Sequence, residues 1–117
     1  MFLDGGQITF YSKMILGLKM EVEVSEGITV FKFGLLWKLI IDEKNKEIRG
    51  RFGKVRFSEV VGAWKNYRKK GTRTVYYVQL LTKDRIYTIT PEMDRESDVR
   101  RVLRTLKKVL GIKKIRV

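Results

Sequence analysis

Val99, Val102, Leu103, Leu106, Val109 and Leu110 recur at the i, i+3, i+4, i+7 spacing of one helical face, and no other stretch of the chain has that period. The pattern predicts an amphipathic α-helix over Asp94–Gly111. Asp94 or Ser97 would cap its exposed amides. Glu96 and Asp98 lie near the positive end of the macrodipole and Lys107 and Lys108 near the negative end, and Gly111 supplies a left-handed stop. Upstream the period changes to two. Leu18, Met20, Val22 and Val24 alternate with Lys19, Glu21 and Glu23, which predicts a half-buried strand with a solvent face. Ser25-Glu26-Gly27 turns the chain, and Ile28–Phe33 returns as the second arm of a hairpin that Gly34 ends.

Leu35–Ile41 is apolar on both parities except for Lys38, so it is expected to lie centrally with both faces largely covered. After a turn at Asp42–Lys46, Glu47–Phe52 comes back with Ile48, Gly50 and Phe52 on one face and Arg49 and Arg51 on the other. The parity flips past Gly53, where Val55 and Phe57 face inward and Lys54 and Arg56 outward. A tight turn or bulge at Phe52-Gly53-Lys54 would restore the pleat and project Arg49, Arg51, Lys54 and Arg56 from one surface. A single helical turn is expected at Ser58-Glu59, then a strand to Trp64, a cationic loop over Trp64–Arg73, an aromatic and β-branched strand over Thr74–Thr82, a two-residue turn at Lys83-Asp84, and a strand over Arg85–Thr90 that Pro91 stops. At the start of the chain, Ile8–Tyr11 reads as a short strand that Met14–Leu18 extends or turns. Residues 112–117 read as a tail or a short terminal strand.

With 117 residues, no linker-like tract and no internal repeat, the chain is expected to form a single domain over 1–117 with its own core. It has no Cys and no His, which removes thiolate chemistry, Cys- or His-ligated metals and the commonest general base. The abundance of Lys, Arg, Ile and Val leans toward a thermophilic source. The first residues lack the features of a secretory signal, and the longest apolar run is about half a bilayer span, so a cytoplasmic protein is expected. Charge is uneven. Residues 1–47 hold six basic and seven acidic side chains, and residues 48–117 hold twenty basic and six acidic. An anionic partner would explain such an excess, and a well-solvated surface would explain it without one.

The order of strand, hairpin, Phe57-Ser58-Glu59-Val60-Val61 step, aromatic strand pair with its Lys83-Asp84 turn and terminal helix resembles the prokaryotic pleckstrin-homology-like (PH-like) domain families over about residues 19–111. The resemblance implies an α+β fold in which a bent antiparallel sheet or open β-barrel of about seven strands is capped by one C-terminal α-helix. It also implies a binding scaffold without catalysis. Lipid-binding members of that superfamily carry a basic cluster in the first hairpin. Here Leu18–Phe33 has only Lys19 and Lys32 among Glu21, Glu23 and Glu26, which argues against phosphoinositide recognition there.

The candidate binding residues are Arg49, Arg51, Lys54, Arg56, Lys65, Arg68, Lys69, Lys70 and Arg73, with Trp64 and Tyr67 interleaved and Tyr76 near by. Cations on one surface suit phosphates and flat rings suit unpaired bases. Each ring taken alone reads as readily as a core or strand-pair residue. On the terminal helix, Arg100, Arg101, Arg104, Lys107 and Lys108 form a cationic face, read as a solvated face because a sheet is available to cover the apolar stripe. Asp42-Glu43-Lys44, with Glu21 and Glu23, is the one arrangement that could hold Mg²⁺, and a hairpin turn explains the same residues without a metal. The expected function is therefore a non-enzymatic basic module for an anionic partner, nucleic acid first. A protein-interaction or homodimeric assembly module and peripheral association with an anionic membrane surface are the alternatives. No cofactor, metal, catalytic residue or small-molecule substrate is expected.

Overall fold

Period-two alternation becomes a five-stranded antiparallel meander. The computed structural model describes residues 19–117, so the expectations for Ile8–Tyr11 and Met14–Leu18 lie outside the described residues. The strands are β1 (Met20–Ser25), β2 (Ile28–Phe33), β3 (Trp37–Asp42), β4 (Glu47–Gly50) and β5 (Gly53–Arg56), hydrogen-bonded in that order. Register turns alternation into rows across the sheet. Val22, Phe31, Leu39, Gly50 and Gly53 form one inner row, and Val24, Thr29, Ile41, Ile48 and Val55 form the next. Phe31, Leu39, Ile41, Ile48 and Val55 in these rows are buried. The opposite face carries Glu23, Val30, Ile40, Arg49 and Lys54 in one row.

A 3₁₀ turn at Phe57–Glu59, where the Arg56 amide donates to Glu59 Oε1 at 2.8 Å, leads into the second sheet. This sheet is β6 (Val60–Lys70), β7 (Arg73–Thr82) and β8 (Ile86–Thr88), antiparallel throughout, with a bulge between Val60 and Gly62. The helix α1 spans Glu96–Leu110 and packs on β6 and β7. Val99, Val102, Leu103 and Leu106 on its apolar stripe are buried against Ala63, Val78 and Leu80 of the second sheet and the inner face of the first, in one core cluster. Each such side chain contributes roughly 1.5–3 kcal/mol when withdrawn from water. Among the described residues the fold is α+β: two antiparallel sheets that do not close into a barrel, with one C-terminal helix.

Several expectations need correction. Leu35 and Leu36 are not in the central strand. Gly34, at φ 73°, starts a turn through Leu36, and these two leucines are 74% and 89% exposed. β3 is central, as its apolar content implied, but it begins only at Trp37. Of the tight turn or bulge expected at Phe52-Gly53-Lys54, the tight turn forms, but one residue earlier, at Arg51-Phe52, and Gly53, at φ 118°, opens β5, so the parity flip marks a hairpin. Trp64–Arg73 is no loop: β6 runs on to Lys70, and only Gly71-Thr72 turns. A ladder of backbone hydrogen bonds needs no apolar side chains, and Thr74, Val75 and Tyr76 across the hairpin supply the β-favouring residues. Neither Asp94 nor Ser97 caps the helix, whose N-cap is Arg95 with no side-chain cap bond, whereas Gly111 ends it at φ 65° as the pattern required.

Beyond the helix the chain returns to the core. Ile115 bridges Ala63 in parallel, with the Arg116 amide donating to the Ala63 carbonyl at 2.9 Å. Ile115 is 1% exposed and belongs to the core cluster, so the terminal segment is a structural edge of the second sheet. Ile115→Ala is expected to lower stability by about 2–5 kcal/mol, read from urea unfolding with the slope unchanged.

Candidate nucleic-acid interface

Strand parity sorts the candidate cations before any partner is considered. Arg49 lies opposite Lys54 and Glu47 opposite Arg56, so Arg49, Lys54 and Arg56 share the outer face of the first sheet. Arg51 sits in the β4–β5 turn, with its guanidinium 4.7 Å from the centre of the Trp37 ring, a residue of the inner parity. The second group divides as well. Lys65, Tyr67 and Lys69 pair with Val78, Tyr76 and Thr74 on the face that meets the helix, while Trp64, Asn66, Arg68 and Lys70 pair with Gln79, Tyr77, Val75 and Arg73 on the other. The structure thus brings three of the first group together and splits the hairpin cations between two faces.

Carboxylates divide them further. Arg49 Nη1 lies 2.8 Å from both Asp42 Oδ2 and Glu47 Oε2. Lys65 pairs with Glu96, Arg68 and Lys70 both pair with Glu92 at 3.0 and 2.5 Å, and Arg73 pairs with Asp94 at 3.3 Å. Arg68 also lies over the Tyr77 ring at 5.8 Å. Five of the nine candidate cations are thereby compensated. Arg51, Lys54, Arg56 and Lys69 are exposed and have no carboxylate partner among the described residues. Tyr67 is 60% exposed near the end of the hairpin. Trp64 is half-buried, its indole N–H donating to Gln79 Oε1 at 3.2 Å, and Asn66 Nδ2 donates to the same oxygen at 3.1 Å.

Asp42 is committed to the β3–β4 turn. Its Oδ1 accepts the amides of Lys44 and Asn45 at 3.0 Å, and its Oδ2 accepts Asn45 Nδ2 at 2.9 Å and Arg49 Nη1 at 2.8 Å. Glu21 and Glu23 are on β1, separated from β3 by β2, and Glu23 accepts a bond from Lys32 at 2.6 Å. Among the described residues no group of three or more metal-binding side chains converges.

The largest uncompensated charge lies elsewhere. From Arg100 to Arg116 the chain carries eight Lys and Arg, and no Asp or Glu follows Asp98. Of the eight, Arg100 reaches a carboxylate, Glu96, at 3.4 Å. Arg101, Arg104, Lys107, Lys108, Lys113, Lys114 and Arg116 are exposed without one among the described residues. From the sequence alone the helical part of this set reads as a solvated face, and residues 112–117 as a tail or a short strand. The absence of carboxylates after Asp98 was the signal available in the sequence. The chain matches no family model, no curated protein and no solved structure in the comparisons made.

The Asp42 carboxyl is held well below the usual carboxylate range, first by the Arg49 guanidinium and then by the Asn45 amide and side chain. A depressed folded value means that this stabilisation is complete above the ordinary carboxylate pKa and is lost as the pH falls below about 4. Asp42→Asn is expected to destabilise the protein at neutral pH and to flatten the acid limb of its urea midpoint against pH. Glu92 and Glu96, lowered chiefly by Lys70 and Lys65, leave a residual slope.

Proposed function

We propose that this chain is a non-enzymatic basic binding module of the cytoplasm whose partner is a polyanion, nucleic acid first. The observation that carries the reading is the cationic run from Arg101 to Arg116, seven side chains without a carboxylate partner among the described residues, borne on the solvent side of α1 and on a tail tied to β6. Phosphate binding draws its free energy from counterions released when cations replace them, so cations without protein carboxylates are the ones that serve. Arg51, Lys54, Arg56 and Lys69 meet that condition, and Arg49, Lys65, Arg68, Lys70 and Arg73 would first have to give up a partner. The α+β order that resembles the PH-like families adds, by analogy, a scaffold suited to binding.

Fluorescence anisotropy of labelled oligonucleotides across a salt series tests this. If ~6 cations touch phosphates, log K falls against log salt with a slope of about −4 on single strands and about −5 on duplex. Arg104→Glu with Lys107→Glu should weaken binding at least tenfold, whereas Arg68→Gln should change it little. Absence of binding to any strand at low salt refutes the reading.

A second reading rests on the β2–β3 turn. Leu35 and Leu36 are exposed at its tip. Lys38 follows them, and Arg51 is at the same end of the sheet, stacked on Trp37. A second copy would set these cations against each other, so the matching surface is an anionic lipid bilayer, whose acyl region takes leucines and whose headgroups take cations. Sedimentation with vesicles rich in phosphatidylserine should retain the wild-type chain and lose most of a Leu35→Ser/Leu36→Ser variant. Equal retention of both would discard the tip as a membrane contact.

A further inference from the structure

The register of the terminal segment builds a recess that charge alone does not reveal. Ala63 and Ile115 are side by side in a parallel bridge, and both point into the core. Parity then sends Lys114 and Arg116 to the other side, the side of Gly62 and Trp64. Gly62 allows the approach: a Cβ there would lie 3.0 Å from the Lys114 carbonyl oxygen and 3.3 Å from Lys114 Cβ. Between these elements is a recess of about 330 Å³, lined by Gly62, Trp64, Leu81, Lys114 and Arg116. One indole, one leucine and two cations line it, and no carboxylate does among the described residues. The ring is oriented by its bond to Gln79, which Asn66 also holds, so it is fixed before any ligand arrives. Its volume is at the small end of ligand sites, roughly 300–1,000 Å³, enough for one planar group with a charged substituent.

We propose that this recess is a nucleotide subsite, in which an unpaired base stacks on Trp64 and the adjoining phosphates are held by Lys114 and Arg116. The assignment rests on the nucleic-acid reading and narrows it to single strands, because a base within a duplex is already stacked and cannot enter. Stacking on an aromatic ring tolerates any base, since each presents a π-face, and Arg116 adds a planar cation beside it. The cations of α1 and of the β4–β5 hairpin that have no carboxylate partner among the described residues supply the non-specific attraction that brings the strand to the recess.

The full chain with Trp37→Phe tests this through the emission of Trp64, the one tryptophan left. Trp37 Nε1 is buried without a partner, so the exchange leaves no polar atom newly unsatisfied. Three probes are titrated: a 12-nucleotide single strand, the corresponding duplex, and a free nucleoside 5′-monophosphate. The single strand is expected to quench Trp64 and the duplex to bind without quenching. Trp64→Leu, and separately Lys114→Glu with Arg116→Glu, should each weaken single-strand binding about tenfold, with circular dichroism of each variant checking the fold. The exposed positions of Lys114 and Arg116 keep the second variant informative if the first fails to fold. Single-strand binding with unchanged Trp64 emission and wild-type affinity in the charge variant overturns the recess and leaves the basic module standing. Quenching by the free monophosphate as strong as by the strand overturns the single-strand assignment in favour of a soluble nucleotide. No binding to any probe at low salt overturns the module reading with it.

Discussion

The apolar stripe of α1, carried by Val99, Val102, Leu103 and Leu106, has to be kept from water, and the arrangement of both sheets follows from how it is covered. Ala63, Val78 and Leu80 form one wall and the rows through Phe31, Leu39, Ile41, Ile48 and Val55 the other. Two strand periods and one helical period meet in the same cluster, so local preference and tertiary packing agree over most of the chain. Where a wall would have been incomplete, irregular segments fill it. Ile89 and Met93 come from the chain after β8, and Ile115 comes from beyond the helix. Thr90, buried in that segment, is satisfied by accepting the Val78 amide and donating to the Pro91 carbonyl, each at 3.0 Å.

Covering the helix also decides what the charges do. The segment 91–96 must run beside β7 to reach the helix, with Tyr76 and Met93 exchanging both backbone hydrogen bonds at 2.7 and 2.8 Å. That route places Glu92, Asp94 and Glu96 next to Arg68, Lys70, Arg73 and Lys65, and the cations of the long hairpin become ties to the helix approach. Half-exposed pairs of this kind add little stability singly. Their consequence is positional, since they use up positive charge at one end of the second sheet, while most cations of α1, the tail and the β4–β5 hairpin have no carboxylate partner among the described residues.

The tail shows how a packing requirement can shape a recess. Burial of one residue, Ile115, directs its neighbours Lys114 and Arg116 to the outside, and the missing side chain at Gly62 lets them come close to Trp64. A frayed terminus would have left the same cations dispersed in solvent. The restraint costs little, because the edge of β6 offers backbone groups that need partners in any case.

The helix, its glycine stop and the inner rows of the first sheet were legible from the sequence, because the periods of Val99–Leu110 and of Met20–Phe33 are local and survive any tertiary context. The uneven charge was legible too. The partners of individual cations were not. Glu96 is thirty-one residues from Lys65, and only the path of the chain past β7 makes them neighbours. Nor could charge density tell a loop from a strand at Trp64–Arg73, since a ladder is indifferent to what its outer side chains carry. The exposure of Leu35 and Leu36 was likewise hidden, because an apolar pair reads the same whether it is buried or set at a turn. Composition and periodicity are properties of neighbours along the chain, and a surface is a property of neighbours across it, which is why the tertiary structure alone decided which charges stand together.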